Sequence, residues 1–151
     1  PDLAAFTECL ARCAHPVVYN GDLHTLDGYR RISQHFPTLK RWMLGRGVVA
    51  NPFLPAMIKT GADAAGDQIT RLQRFHDDLF SGYQQVFAGP GHLLDRMKGF
   101  WYYFARTFDN SRRIMKKIHR LRRADHYRAV VDRFFAAEAR WNPSAVAFEE
   151  G

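Results

Sequence analysis

Val17-Val18-Tyr19-Asn20-Gly21-Asp22 and Trp42-Met43-Leu44-Gly45-Arg46-Gly47 decide how this chain folds. Each is a burst of apolar residues that ends in a small, backbone-exposing turn. Between them Thr25 offers a helix cap and Asp27 suits the first turn. Leu26, Tyr29, Ile32 and Phe36 recur at helical spacing until Pro37 stops the run. The pattern predicts a strand over 17–19, a helix, and a second strand over 41–44, with a glycine at the carboxyl end of both strands. A short parallel βαβ unit is the expected local fold.

Working outward, Asp2 caps a helix whose apolar face is Leu3, Phe6, Leu10 and Cys13, and His15-Pro16 ends it. Asn51-Pro52 opens a short helix to Lys59. Residues 60–66 (TGADAAG) are small and apolar-poor and read as a linker. Asp67 then caps a long helix with Leu72, Phe75, Leu79, Tyr83 and Val86 on one face, broken at Gly89-Pro90-Gly91. The next helix, 92–108, buries Met97, Trp101, Phe104 and Phe108. After Asp109-Asn110-Ser111 another turns Ile114, Ile118 and Leu121 inward. Asp125 caps the last, with Tyr127, Val130, Val131, Phe134 and Phe135. Four helices with short connections predict a four-helix-bundle-like domain over 67–140. Residues 1–60 form the front part, and 141–151 are expected to be a flexible tail. Gly99 stands out mid-helix. It costs stability unless a neighbouring helix or a nucleotide comes close.

The chain has 151 residues, enough for a packed core, and no apolar run of membrane-spanning length. No secretory signal is visible. Cys9 and Cys13 share one helix, are badly placed for a disulfide, and read as structural residues in a reducing cytoplasm. The histidines, His24 and His35 among them, do not cluster at ligand spacing, so no metal is expected. Asp77-Asp78 reads as a solvated helical pair, and no serine sits in a nucleophile elbow.

The formal charge of +7 is unevenly placed. Between Arg96 and Arg133 twelve basic residues stand against three acids, a local +9, while the remainder is slightly acidic. Such a block points to a polyanion. Arg113, Lys116, Lys117 and Arg120 share the outward side of one helix and are candidate RNA phosphate contacts. On the preceding helix Arg96, Tyr103 and Arg106 share one face, while Lys98 and Tyr102 lie together on another. Trp101 reads as a core aromatic.

The two glycine turns suit an anion. Glycine lets main-chain N–H groups approach closely. Asn20 adds a neutral donor and Arg46 a planar cationic fork. Asp22 would repel a phosphate and is expected to point away, capping the segment that follows.

Residues 16–55 (PVVYNGDLHTLDGYRRISQHFPTLKRWMLGRGVVANPFLP) resemble the end of the barrel in tRNA-dihydrouridine synthases. Arg96-Met97-Lys98 and the aromatic run from Phe100 to Phe104 resemble that family's helical domain. The likeness implies the C-terminal part of a (β/α)8 TIM barrel followed by a helical tRNA-binding domain. It implies FMN as cofactor, NADPH as reductant and tRNA as partner, with uridine reduced to 5,6-dihydrouridine. Asn20, Gly21, Gly45 and Arg46 would then hold the FMN phosphate, as loops after the last two barrel strands often do. Arg96 and Lys98 would meet the tRNA, and the helix resembles the subfamily acting on the D-loop. A whole barrel needs roughly 250 residues. The catalytic cysteine, in a Gly-Cys-Pro-like motif, and the first six strands are therefore expected upstream, and this chain alone is expected to be inactive. Two other readings remain at this point: a stand-alone basic helical RNA-binding module without catalysis, and another FMN-binding barrel oxidoreductase.

Overall fold

A computed structural model of the chain describes residues 2–87 and 89–146. It is mainly helical: α1 (Leu3–Arg12), α2 (Leu26–His35), α3 (Arg46–Ala50), α4 (Leu54–Thr60), α5 (Gln68–Val86), α6 (Pro90–Phe104), α7 (Ser111–Arg120) and α8 (Ala124–Arg133). A 3₁₀ turn, Ala105–Thr107, follows α6, and a π turn, Phe134–Glu138, follows α8. No helix among the described residues is long and apolar enough to cross a membrane.

Three expected caps form. The side chains of Asp2, Thr25 and Asp67 accept from the amides of Ala5, Gly28 and Thr70 at 3.0, 3.0 and 3.1 Å. Each satisfies an amide that the first turn leaves without an intrahelical partner. The fourth expected cap does not form, because Arg123 occupies the cap position of α8. Asp125 sits inside the first turn and takes two hydrogen bonds from the Arg123 guanidinium, at 3.1 and 2.7 Å. That pairing holds its carboxyl well below the usual range.

The expected strands at 17–19 and 41–44 reduce to one parallel bridge, Tyr19 with Trp42. The Tyr19 amide donates to the Arg41 carbonyl at 3.0 Å, and the Met43 amide to the Tyr19 carbonyl at 2.8 Å. A parallel ladder gains from neighbours on both sides. Among the described residues each segment has only the other, so pairing stops at one rung. Tyr19 is buried against Phe6, Phe36 and Trp42. Val18 and Met43, one residue away on their segments, are 46% and 54% exposed.

Two hydrophobic cores result. The smaller gathers Tyr19, Leu23, Phe36 and Leu39 under α1 and α2. Leu3, Phe6 and Leu10 of α1 pack onto it, but Cys13 is exposed at the helix end, as is Cys9, so neither cysteine is a core residue. The larger core belongs to α5–α8 and also takes in Leu26, Phe53 and Met57 from the front part. The boundary drawn at the 60–66 linker is therefore crossed by packing. Arg30 crosses it too, donating to the Gly61 carbonyl at 2.6 Å.

Within the larger core α6 packs on α5 and α7, α7 on α8, and the π turn on α5. Met97, Trp101, Phe104 and Phe108 lie inward as their spacing predicts. The face of α5 is rotated from the expected one. Leu72, His76 and Phe80 are buried, while Phe75 and Val86 are 39% and 76% exposed. His76 explains the rotation. Its Nδ1 lies 3.0 Å from the Asp77 carboxylate and its Nε2 2.7 Å from the Tyr127 hydroxyl, which also accepts from Trp101 Nε1 at 2.7 Å. A carboxylate only accepts, so Nδ1 carries the proton and the Tyr127 hydroxyl donates to Nε2. Every polar atom of this buried chain is partnered, which removes the penalty for placing a histidine in the core. Burial lowers the His76 pKa, with Asp77 opposing, and raises that of Tyr127.

Residues 141–146 are docked, not loose. Trp141 bridges Phe108 and packs edge-on against Phe53 with ring centroids 5.9 Å apart, and Val146 is buried. The remainder of the expected tail, 147–151, lies outside the described residues.

Candidate functional site

The bridge brings the two glycine turns side by side. Asn20, Gly21, Asp22, Leu23 and His24 from the first, with Gly45, Arg46 and Gly47 from the second, line one open concavity of about 310 Å³. All four residues expected at an anion site, Asn20, Gly21, Gly45 and Arg46, are in its wall.

Two of the glycines are sterically required. A Cβ on Gly47 would run into the Leu23 carbonyl oxygen and lie 2.9 Å from the His24 Cα, so only glycine lets α3 start this close to the first turn. A Cβ on Gly21 would meet the Tyr19 ring. Gly45 has open space where its Cβ would stand, so access to the concavity is unobstructed there. The five-residue helix α3 is not among the elements expected from the sequence. Asn51, expected to cap the helix that Pro52 opens, instead lies two residues ahead of the α4 cap position, which Phe53 holds; it is buried and accepts from the Phe53 amide at 3.1 Å.

Asp22 does not point away. Its carboxylate pairs with the Arg46 guanidinium and lies 3.4 Å from His24 Nε2. The two charges on facing turns satisfy one another across the mouth, which a cap further along the chain would not allow. Burial, the largest effect, holds the His24 imidazole below its usual range. Asp22 opposes that shift, and the positive charges of Arg46 and Arg106 reinforce it. Arg106 belongs to the 3₁₀ turn after α6, and α3 packs on both α6 and this turn. The helix that brings Arg46 and Gly47 to the concavity is therefore seated on α6 and the turn that follows it.

The basic candidates divide into two groups. On α7, Ile114 and Ile118 are buried while Arg112, Arg113, Lys116, His119 and Arg120 are exposed, the sidedness the spacing predicts. Lys117 departs from it. It is half-buried and donates to both Glu138 carboxylate oxygens at 2.8 and 3.0 Å, with Arg113 at 3.7 Å from the same group. The Lys117 hydrogen bond, with the nearby Arg113 and Arg133 charges, keeps the Glu138 carboxyl below its usual range. No helical wheel could reveal this pair, because Glu138 returns on the π turn.

On α6, Arg96 is exposed with its guanidinium over the Phe87 ring, 5.6 Å from the centroid, and Lys98 is half-buried. Arg106 reaches back one turn. Its Nε donates to the Tyr102 carbonyl at 3.2 Å and its guanidinium lies 5.0 Å from the Tyr102 ring centroid. Arg106 thus stacks on Tyr102, a contact the expected grouping with Arg96 and Tyr103 does not include. Trp101 is fully buried. Among the described residues no three His, Cys, Asp or Glu side chains gather as a metal-binding group.

No protein-family model matches this chain, and no curated protein matches it.

Proposed function

We propose that this chain is the C-terminal portion of an FMN-dependent tRNA-dihydrouridine synthase, supplying the FMN phosphate site and a tRNA-binding surface. The observation that carries this reading is the convergence of Asn20, Gly21, Gly45 and Arg46, from turns more than twenty residues apart, on one concavity. The resemblance of 16–55 to a barrel end assigns those same residues to a phosphate. The exposed cations of α7 and the aromatic–cation face of α6 support an RNA partner. NADPH, the catalytic cysteine and the remaining barrel strands enter only through the resemblance. The cofactor would bring hydride transfer. The residues described here would bind and orient its phosphate end.

For phosphate to enter, Arg46 must exchange the Asp22 carboxylate for the ligand. A phosphate dianion offers the guanidinium a bidentate, doubly charged partner where Asp22 offers one charge. The test is a titration of the chain with FMN and with riboflavin, which lacks the phosphate. FMN should bind weakly, riboflavin less, and Arg46→Ala should remove the difference. Equal binding of both flavins, or an indifferent Arg46→Ala, overturns the flavin part. The self-neutralised Asp22–Arg46 pair favours one competing reading, a basic RNA-binding module without catalysis. Under it the chain binds tRNA and neither flavin.

A further inference from the structure

Mid-helix glycines cost about 1 kcal/mol relative to alanine and call for a reason. Gly99 of α6 is exposed, and a Cβ placed on it would meet nothing within 4 Å. No neighbouring helix needs the space. What surrounds it on the helix surface is Lys98, the adjacent residue, Arg96 and Asp95, three and four positions back, and Tyr102 and Tyr103, three and four positions on. Tyr102 is 50% exposed, carries the Arg106 guanidinium over its ring, and has Tyr103 edge-on with ring centroids 5.0 Å apart. Lys98, Tyr102 and Arg106 follow one another at i, i+4 and i+8. They form one stripe about 12 Å long, cation, aromatic, cation, beside a bare patch of helix. Asp95 sets its N-terminal limit. Its other end, Arg106, lies on the 3₁₀ turn against which α3 packs.

We propose that Lys98, Gly99, Tyr102 and Arg106 form a binding stripe for one unpaired RNA nucleotide, with Tyr102 as stacking platform, Gly99 as clearance for the ribose or base, and Lys98 and Arg106 as contacts for the flanking phosphates. The proposal rests on the RNA-binding reading above and adds to it the kind of RNA taken: a strand with an extruded base, not a duplex. The chemistry favours this occupant. A base stacks on any exposed aromatic face, and stacking tolerates all four bases. Duplex RNA hides its base faces and would use only the two cations. A half-exposed tyrosine already held by a guanidinium also loses little freedom when a base stacks on it.

The experiment uses the 151-residue chain and two RNAs with the same stem: a hairpin carrying 2-aminopurine in its loop, and a blunt duplex. Wild-type protein should quench the loop fluorophore and prefer the hairpin. Tyr102→Leu should weaken hairpin binding roughly tenfold or more, abolish the quench and leave duplex binding unchanged, while Tyr102→Phe keeps both. Gly99→Leu should bind the hairpin poorly although leucine is the better helix former. Gly82→Leu is the control, since Gly82 is also an exposed mid-helix glycine with open space but has no basic neighbour within a turn on either side. Lys98→Gln and Arg106→Gln should each lower the salt slope by about 0.7. Hairpin binding that ignores Tyr102→Leu, or a loss shared equally by the duplex, overturns the stripe while leaving RNA binding intact. Free nucleotide that competes as well as the hairpin overturns it in favour of a mononucleotide site. Absence of any RNA binding by the wild type overturns the stripe and the RNA part of the proposed function together.

Discussion

Asp22 sits where an incoming anion would have to sit, and its effect is measurable at the level of one residue. Asp22→Asn keeps the size and hydrogen-bonding reach of the side chain but removes the charge that occupies Arg46. Affinity for inorganic phosphate, followed by phosphorus NMR titration, should rise by several-fold, because the competing charge is gone and a partly exposed ion pair is worth up to about 1 kcal/mol. Unchanged or weaker binding would mean that Asp22 helps to build the pocket and does not guard it. Gly47 makes a second single-residue case. The atom its Cβ would strike is main-chain oxygen, which cannot swing aside as a flexible side chain does. Gly47→Ala should cost about 1–3 kcal/mol, seen as a lower melting temperature. Gly45→Ala, with open space at the same turn, should be close to neutral.

At the scale of elements, α7 shows why helical geometry alone cannot name phosphate contacts. Lys116 and Arg120 face solvent, whereas Lys117 holds Glu138 and with it the π turn. Lys116→Glu with Arg120→Glu should flatten the dependence of log affinity for tRNA on log salt by about two units without unfolding the chain. Lys117→Glu should lower stability instead, because it sets two carboxylates against each other at the end of α8. A filter-binding series over salt, paired with thermal melts, separates the two outcomes. An unaltered slope in the double reversal would make α7 an ordinary solvated face. The Trp101–Tyr127–His76–Asp77 chain ties α5, α6 and α8, and it predicts a pH effect. An unfolded histidine takes up a proton near pH 6.5, and the folded one resists because burial lowers its pKa, with Asp77 and Asp132 opposing and Arg128 reinforcing. Below that pH the unfolded state binds more protons, so stability is full above it and is lost as pH falls toward the lowered folded value. His24, lowered for the same leading reason, acts in the same direction. Urea melts between pH 7.5 and 5 should show the loss, and His76→Gln should make the curve flatter. A slope that survives both His76→Gln and His24→Gln would place the pH sensitivity elsewhere.

For the whole molecule, the helices and their caps were largely readable, but the packing that joins residues before and after 60–66 into one core was not. Caps at Asp2, Thr25 and Asp67 and the buried spacing of α6 and α7 follow from local chemistry, which sequence carries directly. The four pocket residues were found because each turn pairs glycine with a polar or cationic neighbour, and the bridge then set the turns together. Most of what stayed hidden is long-range. His76 looks polar until Tyr127 and Trp101 arrive from other helices to satisfy it. Lys117 looks outward until the π turn returns Glu138. Asp22 looks repulsive to an anion site until Arg46, twenty-four residues later, donates to it. Trp141 looks like the start of a tail until Phe53 and Phe108 provide its seat.

The lone rung between Tyr19 and Trp42 has a colloidal consequence. Beside it run segments that make no regular ladder, flanked by the exposed Val18 and Met43, and such edges invite pairing with another chain. The net charge of +7 keeps copies apart. Added salt shortens the reach of that repulsion and leaves apolar attraction in place. Self-association of this chain, read as a second virial coefficient by light scattering, should therefore grow with salt over the same range in which RNA binding fades. Val18→Thr with Met43→Lys should suppress it, and a coefficient that stays positive in the wild type at high salt would show that the open edges are not adhesive.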